Sequence, residues 1–214
     1  GMIKRTFKAK GINYASELAE HNTRNILPIL KWNKQNNIEV FRLTSCLLPW
    51  GSEYEIEDLP HFEKIKHNLE LAGNYAKENN MRLSFHPGPF NILTSPKPHV
   101  VDSSVIDLRM HGKLMDLMGM PKSRWAKINI HIGATYGDKQ SAIDRWCKNY
   151  ELLPDNVKCR ITLENDDKAS MYSTKDLYQV YERLGVPIVF DYHHHKFCTG
   201  GQSEEEALKL AAST

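Results

Sequence analysis

Val186-Pro187-Ile188-Val189-Phe190-Asp191-Tyr192-His193-His194-His195 joins an apolar, strand-forming run to a carboxylate and three consecutive imidazoles. The chemistry changes where a buried strand would surface, so the polar groups fall at its carboxyl end. Asp191 and His194, three residues apart, are ligand types for Zn, Mn or Fe, and a turn at the strand end would aim both at one ion. A solvated polar loop or an affinity tag would also accept such residues. The triplet is internal and follows a strand pattern, which argues against a tag.

The same pattern recurs upstream. Residues 38–45, 81–86, 126–132 and 159–164 read as short strands, each bounded by turn residues. Pro87 ends the second of these. The residue before a proline is pushed to extended geometry, so His86 is expected as the last strand residue. His131 lies near the end of the third, and the fourth closes in Glu164-Asn165-Asp166-Asp167. Helical spacing of apolar residues predicts helices from 22 to about 36, then over 62–79, 102–118, 139–153, 174–184 and 203–212. Ser173 or Thr174 caps the fifth, and Gly185 follows it. Residues 3–20 are polar, with Gly11 interrupting any helix there.

Helices follow strands throughout, so the pattern is one of βα units on a parallel sheet. Four successive strand ends carry His86, His131, Glu164, and Asp191 with His194. A turn histidine, a core histidine and a loop-capping glutamate would account for the first three one at a time. Their recurrence at carboxyl ends is what the active site of a TIM (β/α)8 barrel predicts. The alternative, an open doubly wound sheet, lacks its phosphate signature: no strand is followed by G-x-G-x-x-G or G-x-x-x-x-G-K-[ST], and Gly200-Gly201 is a weak signal. His193 and His195 are expected at most to support a neighbouring ligand or touch substrate, and His21, His61, His67, His99 and His111 to lie on the surface.

A barrel of this kind takes about 250 residues. Five strands in 214 residues therefore predict an α/β fragment with about five of eight βα units, a single incomplete TIM-barrel domain over residues 2–214. Such a piece is expected to be inactive and to associate through its open sheet edges. Gly1 before Met2 reads as a cloning scar. Hydrophobic residues at 41% and charged residues at 25% are ordinary for a globular protein. No apolar run approaches the roughly 20 residues of a membrane span, and residues 1–20 show no signal-peptide pattern. A cytoplasmic protein without membrane partners is the expectation. Cys46, Cys147, Cys159 and Cys198 have no C-x-x-C spacing, so reduced thiols are predicted. A net charge of +2 neither announces nor excludes a nucleic-acid binder.

Two or more ions held by such His and carboxylate groups suit hydrolysis of a phosphodiester. Metal-dependent sugar isomerases and epimerases use similar ligands at barrel strand ends, and a binding module without catalysis remains the third reading.

The segments FRLTSCLLPWGSEY (41–54), RLSFHPGPFNILTSP (82–96), KINIHIGATYGDK (127–139), ITLENDDK (161–168) and VFDYHHH (189–195) resemble the UV damage endonuclease family, relatives of endonuclease IV. The resemblance spans nearly the whole chain. It implies a TIM barrel that nicks damaged double-stranded DNA immediately 5′ to ultraviolet photoproducts, using a cluster of divalent metals and no ATP. Mn2+ is typical, with Zn2+, Mg2+ and Co2+ as alternatives. By matching position, His86, His131, Glu164, Asp191 and His194 are implied metal ligands, with Glu164 bridging two ions and Glu164, His131 and Asp191 catalytic. Glu53 stands where many members carry a histidine, and is an implied ligand of a different kind. Pro89 and Phe90 stand where many members have Gln-Tyr, the pair that probes the lesion, and Tyr136 is a further implied DNA contact. Phe90 packed beneath its loop as core is the plain alternative. Members also have a strand before residue 2 and two more beyond Thr214 that supply further His and Glu ligands.

Overall fold

Apolar residues alternate with polar ones along the strands, and this alternation decides which side of the sheet receives the helices. The computed structural model describes residues 2–214; Gly1, the expected cloning scar, lies outside them. The strands are β1 (Val40–Leu43), β2 (Arg82–Phe85), β3 (Ile128–His131), β4 (Ile161–Glu164) and β5 (Ile188–Val189). Helices α1 (Lys4–Arg24) and α2 (Ile26–Gln35) precede β1. Then α3 (Phe62–Glu78) follows β1, α4 (Pro98–Leu117) follows β2, α5 (Lys139–Tyr150) and α6 (Asp155–Lys158) follow β3, and α7 (Thr174–Leu184) follows β4. After β5 come α8 (Tyr192–His195) and α9 (Glu204–Ala212).

All neighbouring strands are parallel, in the order β1-β2-β3-β4-β5. A doubly wound sheet reverses its order at a switch point, whereas sequential order with right-handed crossovers sends every helix to one face. This is the wall of a TIM-type barrel. Ile128, Ile130, Ile161 and Leu163 pack outward with Trp146, Leu177 and Val180. Leu43, Leu83 and Phe85 do the same with Leu69, Ala72 and Met115. Since successive side chains point to opposite faces, Asn129, His131, Thr162 and Glu164 face the other side. Register sets Asn129 against Thr162 and His131 against Glu164.

Local chemistry accounts for the element boundaries. Ser173 and Asp176 form a reciprocal capping box at the start of α7, and Gly185 ends it in the left-handed conformation at φ 66°. Ser203 and Glu206 repeat the box on α9. Gly11 interrupts the helix as expected: at φ 68° and ψ −166° it leaves helical geometry and kinks α1 between two helical stretches. His193 and His194 lie on a single helical turn after the strand. His111, expected on the surface, is wholly buried on the inner face of α4 with its ring edge-on to Phe85 at 4.9 Å, and its Nδ1 lies 2.7 Å from the Asp107 carbonyl oxygen. None of the described helices is long and apolar enough to cross a membrane. The four cysteines are free.

The amino-terminal side of the sheet is held by Arg160, which is completely buried. Its guanidinium donates to the carbonyls of Met120 (2.8 Å), Asn156 (3.0 Å) and Pro121 (3.1 Å) and to Asp116 Oδ1 (2.7 Å), tying α4, α6 and β4 together. Arg160→Met keeps the side-chain volume but strands these acceptors. It is expected to cost about 3 kcal/mol or more, lowering Tm by roughly 6–12 °C. Thermal unfolding followed by circular dichroism checks this, and an unchanged Tm would refute the assignment.

Candidate metal centre

Each functional side chain is delivered by the end of a strand. β3 ends in His131 and β4 in Glu164, opposite each other in the ladder. His86 follows β2 directly, held extended by Pro87. Asp191 follows β5 and caps α8, accepting from the His194 backbone N–H at 2.9 Å. The single turn that follows carries His194 back over the strand ends. Asn165, wholly buried, fixes this turn from β4: its amide donates to the Asp191 carbonyl (3.0 Å) and its side-chain oxygen accepts from the Asp191 N–H (2.8 Å).

Glu164 sits at the middle, only 7% exposed. His86 Nε2 is 3.3 Å from its Oε2, while His194 Nδ1 and His131 Nε2 lie 3.4 and 4.0 Å from its Oε1. Two triplets, His86/His131/Glu164 and Glu164/Asp191/His194, each bring one donor atom per residue within 4.8 Å of the others. Glu164 belongs to both.

The acceptors beside each Nδ1 show whether the imidazoles suit a cation. His194 Nδ1 is 2.8 Å from the Asn165 carbonyl oxygen. A carbonyl only accepts, so Nδ1 carries the hydrogen and Nε2 keeps its lone pair. His86 Nδ1 faces the Pro87 carbonyl at 3.3 Å in the same sense. His131 Nδ1 lies 3.3 Å from the buried Asp166 carboxylate. In all three rings Nδ1 lies within 3.3 Å of an acceptor, which favours the hydrogen on Nδ1 and the lone pair on Nε2, the arrangement that orients metal-ligating histidines. Three imidazoles and two carboxylates form a donor set that fits divalent cations.

Electrostatics agree with the geometry. Burial opposes ionisation of Glu164, yet contact with His86 and the charges of His86, His131 and His194 outweigh it, and the carboxyl is held below its usual range. Asp191 is also held low: desolvation is outweighed by the His194 N–H and the neighbouring imidazoles. His131 moves the other way. Burial disfavours its cation, but Asp166 at close range, with Glu164, raises its pKa. All of these residues prefer cation beside anion, the condition a metal ion would satisfy more fully.

A cleft of about 1200 Å³ opens above the centre, lined by His86, His131 and His194, by Arg42 and Thr44 of the β1 end, and by Pro87, Pro89 and Lys168 of the surrounding loops. Phe90, between the cleft-lining Pro89 and Asn91, is 85% exposed, so it does not pack as core. Tyr136 is 46% exposed, with the Arg145 guanidinium 5.7 Å from its ring centre. Glu53 joins neither triplet: its carboxylate lies 4.0 Å from Lys4 Nζ, on a loop bound to the chain's start by the Trp50 N–H donating to the Met2 carbonyl at 2.9 Å. Asp166 and Asn165 escaped the sequence reading as individual residues. Asp166 is two residues beyond Glu164, the spacing that returns a side chain to the same face, and that alternation was the available signal.

Asp191 and His194 are expected to serve one ion. Asp191→Asn and His194→Ala should then lower Mn2+ affinity by similar factors, roughly tenfold or more, in calorimetric titration. One silent substitution beside one damaging one would contradict the pairing.

The comparisons with known proteins bear on the whole chain. A family model for UV-endonuclease UvdE matches residues 3–214. The UV DNA damage endonuclease of Bacillus cereus (strain G9842) is 37% identical over 196 residues, 90% of this chain and 59% of the relative. That of Bacillus thuringiensis subsp. konkukian (strain 97-27) is 37% identical over 201 residues, 92% of this chain and 61% of the relative. The chain thus spans about 60% of the length of these curated relatives. The crystal structure of SacUVDE aligns with a TM-score of 0.84 at 34% identity, covering 92% of this chain and 66% of that one. D-psicose 3-epimerase from Clostridium cellulolyticum H10, with D-tagatose, aligns at 0.63 and 13% identity over 87% of this chain and 64% of its own, a likeness of fold alone. Since every strand-end ligand candidate from His86 to His194 lies inside the matched region, the chain belongs to the UV-endonuclease UvdE family.

Proposed function

We propose that the chain supplies the metal-bearing part of a DNA-repair endonuclease that hydrolyses the phosphodiester immediately 5′ to ultraviolet photoproducts in double-stranded DNA with divalent metal ions and no ATP, and that residues 2–214 alone are inactive. The observation that carries this reading is the membership of Glu164 in both donor triplets. A carboxylate shared in this way would hold divalent ions in both triplets and balance part of their charge. Divalent ions, Mn2+ first among Mn2+, Zn2+, Mg2+ and Co2+, supply Lewis-acid stabilisation of the phosphate oxygens and activation of water when bound.

The residues of the chain divide the remaining work. His86, His131, Glu164, Asp191 and His194 provide the donor shell, and Asp166 and the Pro87 and Asn165 carbonyls keep the rings turned inward. Arg42 and Lys168 on the cleft walls attract a polyanion toward it. Reaching a lesion inside a duplex requires unstacking bases, at a cost of a few kcal/mol, and an inserted aromatic side chain offsets part of it. Phe90 suits that task. It is exposed between the cleft-lining Pro89 and Asn91, and Pro87 and Pro89 limit the conformations of the loop that presents it. Pro89 and Tyr136 extend the same surface toward DNA.

Nicking of ultraviolet-irradiated supercoiled plasmid in Mn2+, by the chain extended to the length of its relatives and beside residues 2–214 alone, tests the proposal. Glu164→Gln should reduce nicking to background with the fold unchanged by circular dichroism, since an amide keeps the shape without the charge. Phe90→Ala should weaken binding to damaged duplex by roughly tenfold to a hundredfold and leave metal content alone. Near wild-type nicking by Glu164→Gln, or equal nicking of unirradiated plasmid by the unsubstituted chain, would contradict the reading. Turnover of a ketohexose instead of DNA would point to an epimerase.

A further inference from the structure

Beneath the layer of candidate ligands lies a second polar layer. Asn129 and Thr162 are cross-strand partners in the ladder, one position pair below His131 and Glu164 and on the same face. Both are buried, at 7% and 2% exposure. Buried polar side chains cost free energy unless they are hydrogen-bonded, and here they bond to each other and upward to the metal centre. The Thr162 hydroxyl donates to Asn129 Oδ1 at 2.8 Å, and Asn129 Nδ2 donates to Glu164 Oε2. The direction of the chain is forced. A carboxylate accepts only, so the amide NH2 must face Glu164, and the amide oxygen is left for the hydroxyl.

From this geometry, and resting on the metal-site reading above, we propose that Asn129 and Thr162 are positioning residues that set the orientation of the Glu164 carboxylate. Glu164 must present oxygens toward two donor triplets. Its last side-chain torsion is broad and would otherwise turn freely. The Asn129 N–H pins Oε2 on the side of His86, which leaves Oε1 facing His131 and His194. Thr162 acts one step further away: by occupying Asn129 Oδ1 it keeps the amide from turning over. An amide above a hydroxyl supplies this sequence of donor, acceptor, donor and acceptor at neighbouring strand positions without adding a charge. Asp at 129 would set two carboxylates face to face, and Val at 162 would keep the shape of Thr without the hydroxyl.

The test uses Mn2+ alone as probe, titrated calorimetrically into the whole chain, with melting of the metal-free protein measured in parallel. Asn129→Leu is expected to weaken Mn2+ binding roughly tenfold to a hundredfold and Thr162→Val about tenfold, the range seen when a ligand's orienting partner is removed. Thr162→Ser, which retains the hydroxyl, should restore affinity to within about twofold of the unsubstituted chain. Because Thr162 acts through Asn129, the double variant should bind no more weakly than Asn129→Leu alone. If Asn129→Leu does not fold, the contrast between Thr162→Val and Thr162→Ser decides. Unchanged Mn2+ affinity in Thr162→Val and Asn129→Leu, with only the melting temperature lowered, would overturn the positioning role while leaving the metal site standing. An unsubstituted chain that binds no Mn2+ would overturn both readings together.

Discussion

A single buried carboxylate constrains the rest of this molecule. Removing the Glu164 charge from water costs several kcal/mol unless cations or hydrogen bonds replace the lost hydration. Its surroundings supply both: three imidazoles within 4.0 Å and the Asn129 amide from below. Those partners come from β2, β3 and the turn after β5, so the carboxylate, itself on β4, is satisfied only when all four are in place. The demands of one residue therefore extend from β2 to β5.

Parallel strands make such a convergence possible. In consecutive βα units every strand runs the same way, so every carboxyl end reaches the same rim and needs only a residue of the right type in its last position. The opposite side does other work. Arg160 gathers carbonyls and a carboxylate beneath β4, while Arg82 donates to the Trp125 and Arg124 carbonyls beneath β2. Stability and chemistry are segregated to the two ends of the strands. The two layers facing the barrel interior follow the same division, with Asn129 and Thr162 supporting the residues one step nearer the rim.

Much of this was legible from residue order. His86 is marked by the proline after it, and His131, Glu164 and Asp191 by the apolar runs they terminate. Short strand-forming runs bounded by turn residues gave the strands, and the 3.6 period gave α3, α5 and α7. What stayed hidden depended on contacts between strands. Asn129 and Thr162 have no meaning until the register places them side by side, and Asn165 none until the turn after β5 lies against it. His111 was misplaced because a histidine within a mixed polar and apolar helix gives no sign of which face it occupies; packing against Phe85 settles it. Glu53 was carried over from a resemblance at a loop position, and loop side chains are not placed by periodicity. In the structure it faces Lys4.

The claim on which all else rests is that Glu164 serves two cation sites at once. Electron paramagnetic resonance of the chain saturated with Mn2+ addresses it without reference to activity, since two ions joined by one carboxylate are close enough for their spins to couple. The account predicts a broadened, spin-coupled spectrum that reverts to isolated six-line signals in Glu164→Gln. Isolated six-line signals at saturation in the unsubstituted chain would contradict it.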